Sequence, residues 1–299
     1  MADPVKKTAF VIGDPIVQSK SPLIHGHWLK TYDLQGDYKA RHVLPEELSS
    51  FLEHLLADET APGGNVTAPH KEEVHHWLVS QTSGTRLTPI ARRLKAVNTL
   101  YRQDGELVGD NTDGFGFASN LDDRASGWDG ELSNILIIGA GGASRAVIAA
   151  LDERRGPASS MQIVNRTPAR AQALVDDLQL SHATVHSFEQ LIELAGSADF
   201  VVNTSSLGMG ATENNITGNK SPLVAAAAAM GPGSVATDIV YSPLMTPFLV
   251  AAEQAGAETV DGLGMLLHQA VPGFEAWFGV RPKVTPQIRQ LVLNAMGLA

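Results

Sequence analysis

The chain contains no cysteine among its 299 residues. This absence excludes disulfides, thiolate metal ligands and cysteine nucleophiles. Basic residues are also scarce, with 22 Lys and Arg against 32 Asp and Glu and a net charge of −10. Because an acidic protein repels phosphate backbones and anionic lipid surfaces, we expect no nucleic-acid partner and no membrane partner. An anionic ligand would have to be bound by local donor groups.

Long apolar runs are missing as well. No window reaches the roughly 18 uninterrupted apolar residues that a membrane span needs. The N-terminal stretch MADPVKKTAFVIGDP has neither the apolar core nor the cleavage motif of a signal peptide. We therefore expect a cytoplasmic protein. Its length is at or beyond the size at which one hydrophobic core stops growing, which favours two domains.

Strand-like and helix-like segments alternate in the first part of the chain. TAFVIG is followed by SPLIHGHWLKTYDL, YKARHVL by PEELSSFLEHLLADE, and GGNVT by KEEVHHWLVS. This alternation predicts a parallel or mixed sheet with crossover helices. Two extended runs then flank Asp104-Gly105, a pair suited to a hairpin turn with positive φ.

A second alternating series begins with NILIIGA and continues through ASRAVIAALDERR, MQIVNRT, PARAQALVDDL, ADFVVNTSS and SVATDIVY. Repeated strand–helix units of this kind are typical of a doubly wound sheet. The predicted fold class is therefore α/β with two domains: an N-terminal α/β domain and a Rossmann-type doubly wound domain. We place the boundary near residues 110 to 130.

The segment IGAGGASRA lies between an apolar strand and a helix. Gly139 would permit a tight turn, Gly141 would let a pyrophosphate approach the backbone, and the helix N-terminus would supply amide donors. Ser144 occupies the place of the third glycine of the dinucleotide-binding pattern. The glycines alone also suit a plain strand-to-helix turn, but their context favours a dinucleotide site.

The end of the next strand indicates which dinucleotide binds. A site selective for NAD usually carries Asp or Glu there, whereas this chain has Asn165, Arg166 and Thr167. Arg166 could pair with a 2′-phosphate, which favours NADP over NAD. The alternative is that Asn165 and Thr167 only cap the following helix.

Polar clusters precede the second series, and each has an ordinary structural explanation as well as a functional one. Ser21-Pro22 suits a helix N-cap followed by proline, and the other clusters suit turns or caps. The clusters are Ser19 and Ser21; Asn65, Thr67 and Lys71; Asn98; and Asp110 and Asp113.

Two other kinds of site have weaker support. His70, His75 and His76 suggest a metal site, but we expect them on different faces of a helix and predict no metal. Ser19 has no Ser-His-Asp neighbourhood in the sequence, which disfavours a hydrolase.

Nine motifs in order resemble the shikimate dehydrogenase family, NADP-dependent oxidoreductases of the aromatic amino acid (chorismate) pathway. The match extends from about residue 11 to 280. The motifs are GDPIVQSKSPLIH, GGNVTAPHK, AVNTL, GDNTDGFG, GAGGASRA, VNRT, NTSSLGM, DIVYSPLMTPFL and GLGMLLHQA.

This resemblance implies roles for individual residues. Lys71 and Asp113 correspond to the catalytic pair. The implied substrate ligands are Ser19 and Ser21 for the carboxylate, Asn65, Thr67, Asn98 and Gln269 for the ring hydroxyls, and Tyr241 near the substrate. The implied NADP-binding residues are Gly139, Ala140, Gly141, Gly142, Ala143, Ser144, Asn165, Arg166, Thr167 and Gly262.

The resemblance also implies a domain organisation and a reaction. Residues 1–112 and 262–299 would form the substrate-binding domain and residues 113–261 the NADP domain, with both ligands in a cleft between them. The reaction would be the reversible NADPH-dependent reduction of 3-dehydroshikimate to shikimate, by a monomer or homodimer. The alternatives are a quinate/shikimate dehydrogenase that uses NAD and a non-catalytic binding protein of the same fold.

Three local features carry further expectations. Gly114 and Gly116 would permit a tight turn beside Asp113, or else reflect packing at a helix start. Lys95 stands where glycine is frequent in the family, so the loop before Asn98 would differ. The polar stretch GMGATENNITGNKSPL would form a mobile flap near the nicotinamide.

Overall fold

The computed structural model of the chain describes residues 6–130, 132–208 and 221–298. The chain divides into two compact units. The first comprises Met1–Thr112 and Gln269–Ala295, and the second comprises Asp113–His268 and Met296–Ala299. Residues 209–220 of the proposed flap lie outside the described residues, so the flap stays a prediction. The assignment of residues 1–112 and 262–299 to substrate and of 113–261 to NADP also stays a prediction.

The first unit is built on a mixed sheet in the order β2-β1-β3-β5-β6-β4. β1 pairs in parallel with β2 and β3, whereas β5 runs antiparallel to β3 and β6. The strands are β1 Lys7–Gly13, β2 Gly36–His42, β3 Gly63–Val66, β4 Thr85–Leu87, β5 Thr99–Gln103 and β6 Glu106–Asp110. The helices before the second unit are α1 Ser21–Thr31, α2 Leu48–Ala57, α3 Lys71–Ser80 and α4 Pro89–Leu94, with a 3-10 turn at Pro45–Glu47.

Side chains of β1 alternate between the two faces of this sheet, as the period of two in a strand requires. Phe10 and Ile12 belong to the core that includes Leu52 of α2. Ala9 and Val11 belong to a second core with Trp277. Both faces of the strand are therefore covered, which explains its nearly continuous apolar sequence.

The predicted hairpin is confirmed. Gln103 of β5 pairs with Glu106 of β6, which leaves Asp104 and Gly105 as the two-residue loop. Their φ values are 54° and 82°. Positive φ at both positions matches the right-handed twist of the flanking strands.

The second unit has a fully parallel sheet in the order β12-β11-β10-β7-β8-β9. The chain starts at β7, moves outward through β8 and β9, and returns to the other side of β7 with β10. This reversal of direction defines a doubly wound fold and confirms the predicted class. The strands are β7 Asn134–Ile138, β8 Ser160–Val164, β9 Ala183–His186, β10 Phe200–Asn203, β11 Val235–Asp238 and β12 Glu258–Val260.

Helices separate these strands and continue beyond them. Those of the second unit are α5 Asp113–Arg124, α6 Gly142–Arg154, α7 Pro168–Leu178, α8 Leu191–Ala195, α9 Pro222–Ala228, α10 Pro247–Gln254 and α11 Leu263–His268, with a 3-10 turn at Phe188–Gln190. Two further helices follow, α12 Ala270–Phe278 and α13 Pro286–Met296. Among the described residues, none of the helices is long and apolar enough to cross a bilayer.

Gly114 allows close helix packing rather than a tight turn. It lies inside α5, and a Cβ at this position would be 2.9 Å from the Ala146 carbonyl oxygen of α6. Gly116 also lies inside α5 and is buried. The prediction of a tight turn at these glycines is therefore wrong, and the alternative of packing at the helix start is the correct one.

Candidate active site

A buried polar network surrounds Asn65 in the first unit. The Asn65 Nδ2 group donates to the Asn98 carbonyl oxygen and to Thr99 Oγ1, both at 3.2 Å. The Tyr38 hydroxyl donates to Asn65 Oδ1 at 2.6 Å. Asn65 pairs with Val11 in the parallel β1/β3 register, so the network lies toward the carboxyl ends of these strands. Ligands of α/β sheets bind at such ends.

Asn98 and Gln269 are linked through Thr112. The Thr112 backbone N–H donates to Asn98 Oδ1 at 2.9 Å, and Asn98 Nδ2 donates to Thr112 Oγ1 at 3.1 Å. The Thr112 hydroxyl donates in turn to the Gln269 carbonyl oxygen at 2.8 Å. This contact joins positions 157 residues apart and brings the start of the C-terminal segment to Asn98.

The two serines after β1 lie next to each other at the start of α1. Ser19 Oγ accepts from the Ser21 backbone N–H at 3.3 Å. The helix begins at Ser21, so its N-cap residue is Lys20, which has no side-chain cap. The interpretation of Ser21 as the N-cap is therefore wrong, because Ser21 is already helical and its side chain is buried.

Thr67 and Lys71 lie on the segment that joins β3 to α3. The Thr67 N–H donates to the Ile12 carbonyl oxygen at 2.9 Å, and the Thr67 carbonyl accepts from His70 at 3.0 Å. Lys71 is the first residue of α3, and its carbonyl accepts from the Val97 N–H at 2.8 Å. The backbone of Lys71 is thereby tied to the segment that carries Asn98.

His25 packs against Tyr38, a member of this network. Its ring stacks on Tyr38 with centroids 4.0 Å apart, and the side chain is fully buried. Burial lowers the pKa of His25 to about 3, and the neighbouring Asn65 side chain acts in the opposite direction. Within the part of the chain that the structure describes, neither ring nitrogen of His25 has a hydrogen-bond partner. His25 is therefore a neutral imidazole at ordinary pH.

The other histidines have separate surroundings. His70 Nε2 contacts the Val43 carbonyl oxygen at 2.7 Å. His75 is buried and His76 is exposed, as expected for different faces of α3. In the described ranges no group of three His, Cys, Asp or Glu side chains is placed to hold a metal ion.

The glycine-rich turn of the second unit joins β7 to α6. Gly139 has φ of 117°, and a Cβ there would lie 2.8 Å from Thr204 Oγ1. At Gly141 and Gly142, by contrast, a Cβ would meet no atom within 4 Å. Packing thus explains the first glycine, and the open space beside the others suits a ligand that approaches the backbone.

Ser144 replaces the third glycine with a hydroxyl that bonds within the turn. Ser144 Oγ accepts from the Gly141 N–H at 2.9 Å and lies 2.7 Å from Thr204 Oγ1. The Thr204 hydroxyl donates to the Ile138 carbonyl oxygen at 2.9 Å. Ser144 is fully buried, so its role is to hold the turn against the strand that ends at Asn203.

A cavity of about 400 Å³ opens beside this turn within the second unit. Its lining includes Tyr241, whose pKa is raised by burial. Tyr241 therefore lines the same cavity as the glycine-rich turn, whereas the other predicted substrate ligands belong to the first unit. The lining residues are Gly141, Gly142, Ala143, Thr204, Ser205, Ser206, Ile239, Val240, Tyr241 and Ser242.

The residues after β8 are open to solvent at Arg166 and Thr167. Thr167 occupies the N-cap position of α7 but makes no side-chain cap. The Asn165 side chain donates to the Thr167 carbonyl oxygen at 2.8 Å. Thr167 is therefore the N-cap residue of α7, as the alternative expected, although no side-chain hydrogen bond caps the helix.

Gly262 is explained by close backbone approach. A Cβ on Gly262 would lie 2.6 Å from the carbonyl oxygens of Asp238 and Ile239.

Asp113 is the first residue of α5, where a carboxylate is stabilised by the helix N-terminus. Its catalytic role stays a prediction.

Asp238 was not among the predicted site residues, and it is buried at the end of β11. Its carboxylate accepts from Thr246 Oγ1 at 2.7 Å, from the Val240 N–H at 3.0 Å and from Asn203 Nδ2 at 3.0 Å. Burial nevertheless raises its pKa to about 6. The hydrogen bonds from Thr246, Val240 and Asn203 fix the end of β11 and the segment that leads to Tyr241.

The doubly wound fold, its glycine-rich turn and the adjoining cavity define a protein of the dinucleotide-binding class with a separate unit rich in buried polar groups. Three family profiles match the sequence. They describe the shikimate dehydrogenase substrate binding domain over residues 11–100, shikimate / quinate 5-dehydrogenase over residues 124–223, and the shikimate 5'-dehydrogenase C-terminal domain over residues 262–293.

The chain belongs to the shikimate dehydrogenase family. The shikimate dehydrogenase (NADP(+)) of Rhizobium meliloti (strain 1021) is 46% identical over 290 residues, which cover 96% of this chain and 95% of that protein. The predicted resemblance is thus confirmed.

Solved structures of relatives share the fold. The shikimate 5-dehydrogenase of Thermus thermophilus in complex with NADP(H) and shikimate has a TM-score of 0.78 and 30% identity, covering 97% of this chain and 99% of that one. The quinate dehydrogenase of Corynebacterium glutamicum in complex with NAD has a TM-score of 0.81 and 26% identity, with the same coverage. Because relatives with different substrates share this fold, the substrate must be argued from residues.

Proposed function

We propose that the protein is an NADP-dependent shikimate dehydrogenase that reduces 3-dehydroshikimate reversibly to shikimate. The observation that carries the proposal is the near full-length identity to a relative of that name. The residues on which the proposed chemistry depends are all present, from Ser19 to Gln269.

The first unit would bind the substrate. Ser19 and Ser21 are close together at the start of α1, and their hydroxyls can donate to a carboxylate. Asn65, Thr67, Asn98 and Gln269 would meet the ring hydroxyls. Hydrogen bonds of Asn65 with the Asn98 carbonyl and of Asn98 with Thr112 fix the Asn65 and Asn98 side chains before the ligand arrives, which reduces the entropy lost on binding.

The second unit would bind NADP. Gly141 and Gly142 leave space for the pyrophosphate at the N-terminus of α6. Arg166 would pair with the 2′-phosphate, and no carboxylate from 165 to 167 opposes that charge. Tyr241 would line the nicotinamide end of the cavity.

Bound NADPH supplies the hydride, and the protein must supply the proton. Lys71 would stabilise the developing alkoxide with its ammonium group and then transfer a proton to it. Asp113 would orient that ammonium group and accept a hydrogen bond from the substrate. In the reverse direction the neutral amine of Lys71 would remove the proton from the alcohol.

A quinate dehydrogenase that uses NAD is not favoured, because Arg166 stands where an NAD site usually has an acid. A non-catalytic binding protein would need neither Lys71 nor Asp113. We also propose a cytoplasmic location. We further propose a monomeric or homodimeric state, and sedimentation of the purified protein would test that state.

Kinetics of Lys71→Ala and Asp113→Asn test the proposed roles. Loss of a general acid costs about 10²- to 10⁴-fold in rate, so kcat of Lys71→Ala should fall by that range. Lys30→Ala, on the exposed end of α1, is the matched control and should keep wild-type kcat. Unchanged turnover by Lys71→Ala would contradict the assignment.

A further inference from the structure

The orientation of the Asn65 amide follows from its neighbours. One end of the amide lies 3.2 Å from the Asn98 carbonyl oxygen, which can only accept. That end must therefore be the nitrogen, because an oxygen there would face a second acceptor. Both Nδ2 hydrogens are then used, one on Asn98 and one on Thr99 Oγ1.

The opposite end of the amide is consequently the oxygen, and the Tyr38 hydroxyl must donate to it. Tyr38 thus contacts a residue that is proposed to bind a ring hydroxyl of the substrate. It is buried, and its ring is held by the stack on His25.

We propose that Tyr38 is a positioning residue, which holds the Asn65 amide in the orientation that the substrate requires and leaves Asn65 to recognise a substrate hydroxyl only as an acceptor. This inference rests on the proposed function. Since both N–H groups of Asn65 are engaged in the protein, a ketone or carboxylate of the substrate could not take a hydrogen bond from it. Its substrate partner must bring an O–H.

Loss of the hydroxyl alone should affect substrate binding more than chemistry. Tyr38→Phe keeps the ring that stacks on His25 and removes the donor to Asn65 Oδ1. We expect KM for shikimate to rise about tenfold, kcat to change less than threefold, and KM for NADP⁺ to stay within twofold of wild type. The dissociation constant of shikimate, measured by calorimetry, should rise with KM.

Tyr32→Phe is the matched control. The Tyr32 hydroxyl accepts from the Lys283 backbone N–H at 3.0 Å, away from the network around Asn65. Its removal should leave every kinetic constant within twofold of wild type. A purely structural role of Tyr38 would lower the melting temperature of Tyr38→Phe and leave KM unchanged, and that result would overturn the inference.

A double-mutant cycle tests whether Tyr38 acts through Asn65. In an Asn65→Ala background, Tyr38→Phe should add less than twofold to KM for shikimate, because the contact is already absent. A full tenfold addition would overturn the inference. Should Tyr38→Phe not fold, Thr99→Val removes the acceptor at the other end of the same amide and should raise KM similarly; an unchanged KM would contradict the proposal.

Failure of the proposed function gives a different result. A wild-type protein that neither binds nor oxidises shikimate would overturn the proposed function and this inference together. A wild-type protein that does both, with Tyr38→Phe unchanged, would overturn the inference alone.

Discussion

Ser144 Oγ accepts a hydrogen bond from the backbone N–H of Gly141 at 2.9 Å, across the turn that begins α6. The Gly141 amide is thus engaged within the turn. The side chain that replaces the third glycine of the pattern is part of the turn itself. We expect the stability of the turn to depend on this hydroxyl.

Ser144→Ala should lower the free energy of unfolding by about 1–3 kcal/mol, because the partly buried Gly141 N–H and the buried Thr204 hydroxyl each lose a partner. Urea denaturation measures the change. Ser133→Ala, at an exposed position before β7, is the control and should differ from wild type by less than about 0.5 kcal/mol. Equal effects of the two substitutions would contradict the role of Ser144.

Structural features that depend on a few consecutive residues were predictable from the sequence. Apolar runs that end in glycine marked the β7–α6 turn, and Asp104-Gly105 marked the hairpin. Tyr38 could not be found in this way, because its contact with Asn65 depends on β2 lying beside β1 in the sheet. Thr112 was missed for the same reason, since its partner Gln269 is distant in sequence.

Asp238 illustrates another limit. A single Asp at the end of a strand suits a turn as well as a buried acceptor, and only the fold brings Asn203 and Thr246 to it. The interpretations of Ser21 as an N-cap and of Gly114 as a tight turn were wrong for a local reason. Each depended on whether a helix begins one residue earlier or later, and such boundaries are the least predictable part of a sequence.

Lys95 should be replaceable by glycine with a gain in stability. It ends α4 in the left-handed conformation with φ of 52°, which is unfavourable for a residue with a Cβ. Lys95→Gly should raise the free energy of unfolding by about 0.5–1 kcal/mol in urea denaturation. Arg92→Gly, inside the same helix, should lower it by about 1 kcal/mol. A loss of stability in Lys95→Gly would contradict this account.

Asp238 should make stability depend on pH in a defined direction. Its pKa of about 6 lies above the ordinary value of 3.8 because of burial, with the Thr246 hydroxyl the largest opposing contribution. The folded protein therefore holds an additional proton between these values, and the contribution of Asp238 to stability decreases as pH rises from 3.8 through 6.

Asp238→Asn imitates the protonated carboxyl and removes this dependence. The free energy of unfolding of Asp238→Asn, taken relative to that of wild type, should therefore increase by roughly 2–3 kcal/mol as the pH rises from about 4 to 8. Glu253→Gln, on α10, is the control for the loss of a carboxylate and should show no comparable gain. A constant difference between Asp238→Asn and wild type across this range would refute the raised pKa.

Arg166→Ala should weaken NADP more than NAD. Loss of a charge-assisted contact with the 2′-phosphate costs about 1.5–3 kcal/mol, which corresponds to a rise in KM for NADP⁺ of about tenfold to a hundredfold. KM for NAD⁺ should change less than threefold. Arg170→Ala, exposed on α7, is the control. Equal losses for both cofactors would show that Arg166 does not contact the 2′-phosphate.

The central claim is that this protein oxidises shikimate with NADP⁺, and an absorbance assay of nicotinamide reduction tests it most directly. Shikimate and quinate are each paired with NADP⁺ and with NAD⁺. We predict that shikimate with NADP⁺ exceeds every other pairing by about tenfold or more in kcat/KM, a difference of roughly 1.4 kcal/mol. Preference for quinate with NAD⁺, or no turnover in any of the pairings, would contradict the claim.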